Sequence, residues 1–186
     1  ARRRAFAIDL YISGWLAVEA IAVTATLLGA VPPGARGIVQ IIAVWRLFEI
    51  LQVVLGATIF DALSGRADHK VASSTRMIVL AGINFAEIMT IFGLVYALNP
   101  GLMSPLGSAP KQGFYLSAMT QFTIGYGDVS PHGILKAVAV AQGFSATIFV
   151  FLVFARIISS FSPLTSVLGQ RGEPHPGPTP ESRRGS

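Results

Sequence analysis

The sequence predicts an all-α membrane protein: four transmembrane helices per subunit, with a shorter re-entrant helix and loop between the third and fourth. Three observations lead there. Hydrophobic residues make up 52% of the 186-residue chain and charged residues only 12%, against about 25% charged in ordinary soluble domains. Mean hydropathy is +0.62. Four apolar stretches each reach the roughly 20 residues that a helix needs to cross a bilayer core about 30 Å thick. These features exclude a soluble globular domain and a disordered chain. The 14 basic residues against 9 acidic ones form no basic stripe, so no nucleic-acid partner is expected. The chain has no cysteine, which excludes disulfides, thiolate metal sites and a cysteine nucleophile.

The first stretch covers residues 7–30 and is closed by Val31-Pro32-Pro33-Gly34, which cannot continue a helix. The second covers residues 38–63 and ends near Ser64-Gly65. The third covers residues 77–98 and is stopped by Asn99-Pro100-Gly101. The fourth covers residues 134–159. Backbone polar groups in lipid must be satisfied within the segment, which makes all four helices. Residues 102–133 differ. They open with Pro105, Gly107 and Pro110, followed by a semi-apolar run over 112–122. That run is too short to span and is read as a re-entrant helix. From Ser162 onward Pro, Gly, Ser and Arg dominate, a composition expected to stay disordered. The domain reading is therefore 1–75 as an N-terminal two-helix transmembrane region, 76–161 as a second transmembrane unit, and 162–186 as a disordered cytoplasmic tail.

Lys and Arg set the orientation. Arg2, Arg3, Arg4, Arg66, Lys70, Arg76, Arg156, Arg171, Arg183 and Arg184 fall on one side if all four helices span; only Arg36, Lys111 and Lys136 fall on the other. The expectation is a multi-pass cell-membrane protein with both termini and the loop at residues 64–76 in the cytoplasm. The 112–122 helix then enters from outside. Three arginines before an apolar run also suit a signal peptide, but this run is too long for one and Asp9 and Glu19 interrupt it.

The N-terminal pair carries Asp9, Glu19, Arg46, Glu49 and Asp61, and helix three carries Asn84 and Glu87. A charge at the bilayer centre costs about 2.5–3.5 kcal/mol on the insertion scale, so these residues need partners. Arg46 and Glu49 stand three apart on one helix face. Glu19 is placed to reach Arg46 from the neighbouring helix, and Glu87 to face helix two or a second subunit. Voltage sensing needs arginines at every third position, and helix two offers only Arg46. The charges are therefore read as holding the first two helices to the rest of the molecule, with Glu19 and Glu87 as candidate proton-responsive groups. No phosphate-binding glycine loop, zinc spacing or base–nucleophile arrangement occurs, so no enzyme activity is expected.

The informative segment is Thr120-Gln121-Phe122-Thr123-Ile124-Gly125-Tyr126-Gly127-Asp128. Glycine reaches backbone conformations with positive φ that other residues avoid. Alternating such positions turns successive carbonyls to one side. Carbonyl oxygens supplied by several chains around one axis can replace the hydration shell of a monovalent cation.

These residues carry the signature Thr-x-x-Thr-x-Gly-Tyr-Gly-Asp, and over residues 78–160 the chain resembles the tetrameric potassium channels. More narrowly, it is similar to small bacterial four-helix members of that pore-domain family. The resemblance makes 76–161 a pore domain of outer helix, pore helix, selectivity-filter loop and inner helix. It implies passive conduction of K+, the permeant ion, with no other small-molecule substrate. The carbonyls at Thr123, Ile124, Gly125 and Tyr126 would line the ion sites, with the Thr123 hydroxyl. Tyr126 would face away from the ion, and Thr120, Gly127, Asp128 and Tyr115 would support the filter. One filter per chain implies a homotetramer, in contact with membrane lipid. A non-selective cation channel and a non-conducting regulatory subunit are the alternatives.

Some positions depart from the family pattern. The carboxylate that some members place four residues before the filter threonine is Met119 here, so Asp128 needs another partner or faces solvent. The tryptophan pair common in the pore helix is Tyr115-Leu116. Aligning on Lys136 puts Ala146 at the usual hinge glycine, with Gly143 one turn earlier as either a substitute hinge or a close-packing position, and points Thr147, Val150 and Phe154 toward the cavity. A ring of Phe154 would form a hydrophobic constriction that gates by dewetting. His132, just outside the filter, is read as a solvated loop residue, with proton sensing as the alternative.

Overall fold

The computed structural model describes residues 2–64, 74–105, 109–125 and 127–159. Tyr126, the centre of the expected cytoplasmic loop and the expected tail lie outside these residues. Five helices account for most of the described chain. They are α1 (Arg2–Leu27), α2 (Pro33–Ser64), α3 (Ser74–Ala97), the short α4 (Pro110–Gln121) and α5 (Ile134–Ser159). Four of them, α1, α2, α3 and α5, contain stretches long and apolar enough to cross a membrane: Leu10–Leu27, Pro33–Gly56, Val79–Ala97 and Ile134–Phe154. Helix α4 has 12 residues, about 18 Å of length at 1.5 Å per residue, and cannot.

The turn between α1 and α2 shows how the chain punctuates itself. Gly29 adopts φ +67°. The Gly29 N–H donates to the Thr26 carbonyl at 3.1 Å and the Ala30 N–H to the Ala25 carbonyl at 2.8 Å. These are the two bonds of a Schellman motif, in which the left-handed position is most often glycine. Pro33 then occupies the first position of α2, where its missing N–H is not needed. The Pro-Pro-Gly run that closes the first helix thus opens the second, which starts at Pro33 rather than near residue 38. Helix α3 begins at Ser74, so the boundary drawn after residue 75 falls within its first turn.

Helix α3 is the centre of the subunit and packs against α1, α2, α4 and α5. Its Ile88, Ile91, Phe92 and Tyr96 join Leu116 of α4 and Leu135 and Phe149 of α5 in one buried cluster. Helices α3 and α4 meet backbone to backbone at Gly113. A Cβ built there would overlap the backbone nitrogen of Ala97 and lie 2.6 Å from its Cα. Backbone cannot swing aside as a side chain can, so Gly113→Ala is expected to destabilise the fold by about 1–3 kcal/mol or more. A lowered melting temperature in detergent checks this; unchanged melting would refute the close contact.

A two-stranded antiparallel ribbon closes the segment around α4. Strand β1 (Met103–Ser104) precedes that helix and β2 (Ser130–Pro131) follows the loop, with Met103 opposite Pro131 and Ser104 opposite Ser130. The His132 N–H adds a bond to the Leu102 carbonyl at 2.7 Å. Sequence patterning gave no sign of the ribbon, because two-residue strands carry no periodicity.

An ionic cluster joins the first three helices. Arg46 Nη2 of α2 donates to both carboxylate oxygens of Glu87 of α3, at 3.0 and 3.1 Å, and its Nη1 to Glu49 at 3.3 Å. The Tyr11 hydroxyl of α1 donates to Glu49 at 2.9 Å. The guanidinium also lies 5.8 Å from the Tyr11 ring centroid and 5.2 Å from that of Trp15, a cation–π arrangement. The expected Arg46–Glu49 pair forms. Of the two alternatives for Glu87, the structure selects helix two. Glu19 is buried within electrostatic reach of Arg46 and Glu87, yet the two Arg46 Nη groups go to the other two carboxylates, and its buried Nε has no hydrogen-bond partner among the described residues. The Glu19 Oε1 has no hydrogen-bond partner among the described residues.

Large apolar side chains stay exposed on the subunit: Ile41, Trp45 and Phe48 on α2, and Phe144, Phe151 and Phe154 on α5. Surfaces of this kind belong against lipid or another chain.

Candidate functional site

The loop after α4 is built by the way that helix ends. The Thr123 N–H donates to the Thr120 carbonyl at 3.2 Å and the Ile124 N–H to the Met119 carbonyl at 2.9 Å. This is the same Schellman pair that ends α1, but the left-handed position is Thr123, at φ +55°. A β-branched residue rarely sits there. For a residue with a Cβ this conformation costs roughly 1–2 kcal/mol, and such strain persists only where the surroundings over-determine it.

Positive φ then recurs at every second position, with Gly125 at +63° and Gly127 at +79°. Nothing lies within 4 Å of a Cβ built on either glycine. Within the single subunit, glycine is therefore demanded here by backbone conformation and not by space. Thr123, Ile124, Gly125 and Gly127 are all exposed on the single subunit, while α4 directs the negative end of its dipole at the loop. Tyr126 lies outside the described residues.

Of the residues expected to support the loop, two meet directly. The Tyr115 hydroxyl donates to Asp128 Oδ1 at 3.0 Å. Tyr115 is thus the partner that Asp128 needed in place of the carboxylate replaced by Met119. The Thr120 hydroxyl turns back onto its own helix and donates to the Leu116 carbonyl at 2.8 Å. The Thr123 hydroxyl donates to the Phe122 carbonyl at 2.7 Å. On α5, Thr147, Val150 and Phe154 are exposed, Gly143 is half-buried, and Ala146 is buried against the subunit's own core. His132 is exposed.

Sequence reasoning missed a buried polar network behind α4. Gln142 of α5 is fully buried. Its Nε2 faces the Ser117 carbonyl at 2.9 Å, the Ser117 hydroxyl at 2.8 Å and Gln121 Oε1 at 3.0 Å. Its Oε1 accepts from the Tyr96 hydroxyl of α3 at 2.9 Å. The signal was present, since Gln142 is an amide in the middle of an apolar spanning helix, and intramembrane polar residues are rarely idle.

The fold is that of a multi-pass helical membrane protein in which a short helix and a loop of alternating backbone handedness are held between two spanning helices. Residues 83–162, from α3 through α5, match the model of a family described as ion channel. That segment is therefore similar to an ion channel domain. No curated protein and no solved structure matches the chain.

Proposed function

We propose that the protein is a potassium-selective channel, assembled as a homotetramer, that conducts K+ passively through a fourfold ring of backbone carbonyls. The observation that carries this reading is the alternation of left-handed backbone at Thr123, Gly125 and Gly127. A chain that alternates handedness turns successive carbonyls to one side, where they can take the place of water around a cation. The residues assigned to the ion are Thr123, Ile124, Gly125 and Tyr126, through their carbonyls and the Thr123 hydroxyl. In this reading α4 is a re-entrant pore helix whose C-terminal dipole favours a cation. Helix α3 is the outer helix, and α5 the inner helix with Thr147, Val150 and Phe154 toward the cavity. The excess of Lys and Arg puts both termini in the cytoplasm, and lipid covers the apolar faces of α1 and α2.

The test is ion flux into liposomes that contain only the purified full chain. Flux that favours potassium over sodium supports the proposal. Equal flux of the two ions means a non-selective cation pore, and no flux across a range of pH and lipid composition means a regulatory subunit; either overturns it.

A further inference from the structure

The strained Thr123 needs something to hold it, and the polar network behind α4 is suited to do so. Ser117 and Gln121 are spaced four apart, on one face of the last turns of α4, and Thr123 follows directly. The Ser117 hydroxyl donates to the Met89 carbonyl of α3 at 2.6 Å, and Gln121 Nε2 reaches the Phe85 carbonyl at 3.4 Å. Gln142 closes the network from α5, joining both residues while accepting from Tyr96. One amide therefore ties three helices together immediately behind the left-handed turn. Gln142, Ser117 and Tyr96 are fully buried and Gln121 nearly so, so water does not compete for these bonds. An inner helix needs only apolar contact to pack here; an amide with both ends engaged adds a fixed register between α5 and α4.

We propose that Gln142 is a positioning residue for ion selection, which holds the C-terminal turn of α4, and through it the Thr123–Gly127 backbone, in the geometry that discriminates between cations. The proposal rests on the channel reading above. Gln142 touches no ion; it acts through Ser117 and Gln121.

The full-length protein is reconstituted in liposomes, and two quantities are read: the potassium-to-sodium permeability ratio and the fraction assembled as tetramer. Gln142→Leu keeps the size of the side chain and removes all its hydrogen bonds. Gln142→Glu keeps the acceptor for Tyr96 but sets a carboxylate oxygen against the Ser117 and Gln121 oxygens that Nε2 now faces. Both are expected to lower the ratio about tenfold in channels that still assemble. Tyr96→Phe, which leaves the ties to α4 in place, is expected to change it less than about threefold. A merely structural role would lower the tetramer fraction and leave the ratio of the surviving channels unchanged, and that result overturns the proposal. Should neither Gln142 variant assemble, Gln121→Leu removes one tie from the α4 side, and a native ratio there overturns the proposal equally. A selective wild type beside an equally selective Gln142→Leu defeats the proposal alone. A wild type without selectivity defeats the channel reading and this proposal with it.

Discussion

In the proposed channel, replacing Gly125 with serine is expected to abolish potassium selectivity while leaving the protein folded and assembled. Within one subunit space is no obstacle, since nothing lies within 4 Å of a Cβ at that position. The obstacle is conformation, because Gly125 stands at φ +63°. An L-residue there costs roughly 1–2 kcal/mol per subunit, and the four subunits of the proposed tetramer would bear it together. The cheaper response is for the backbone to return to negative φ, which swings the neighbouring carbonyls off the axis. The potassium-to-sodium permeability ratio in liposomes should then fall by about tenfold or more, the equivalent of about 1.4 kcal/mol. Tetramer content, read on a sizing column, should remain near that of the native protein. A Gly125→Ser channel that still prefers potassium would show that handedness at this position does not set the ion sites.

Arg46→Ala should be the most destabilising single change in the N-terminal half. It would leave Glu87, only 1% exposed, as a buried carboxylate without its bidentate partner. Removing one member of a buried ion pair costs about 3–5 kcal/mol. Loss of the guanidinium also strips Tyr11 and Trp15 of their cation–π partner, worth about 0.5–2 kcal/mol. The midpoint of thermal unfolding in detergent should drop by on the order of 10 °C. Arg46→Lys should recover only part of this, because a single ammonium cannot reproduce the paired bonds to Glu87 together with the contact to Glu49. An Arg46→Ala protein that melts like the native one would mean that the cluster does not hold α1 and α2 to α3.

These two expectations differ in how far the sequence alone leads to them. Gly125 stands out in the bare sequence, because two glycines alternating with larger residues inside a membrane segment have few other uses. Arg46 was visible as a charge in need of partners, and its pairing with Glu49 followed from a spacing of three. Its stronger partner was not visible. Glu19 and Glu87 were both within reach of helix two on hydropathy alone, and the structure gives the guanidinium to Glu87. The tyrosine that receives Asp128 was likewise one of two outcomes, the other being solvent.

The sequence by itself determined the number and approximate length of the spanning helices, the punctuation between them by glycine and proline, and the loop between α4 and β2 as the informative segment. Each depends on residues close together in the chain: a run of apolar side chains, a proline without an N–H, a glycine free to take positive φ. Only the tertiary structure decided that Thr123 joins the glycines in the left-handed region, that Gly113 is where two backbones meet, and that Gln142 binds α5 to α4 and α3. The last two outcomes depend on groups between 16 and 46 residues apart. Periodicity says which face of a helix a residue occupies, but not which helix that face will meet. Strain at Thr123 is set by the two hydrogen bonds that end α4, and no local preference of threonine announces it.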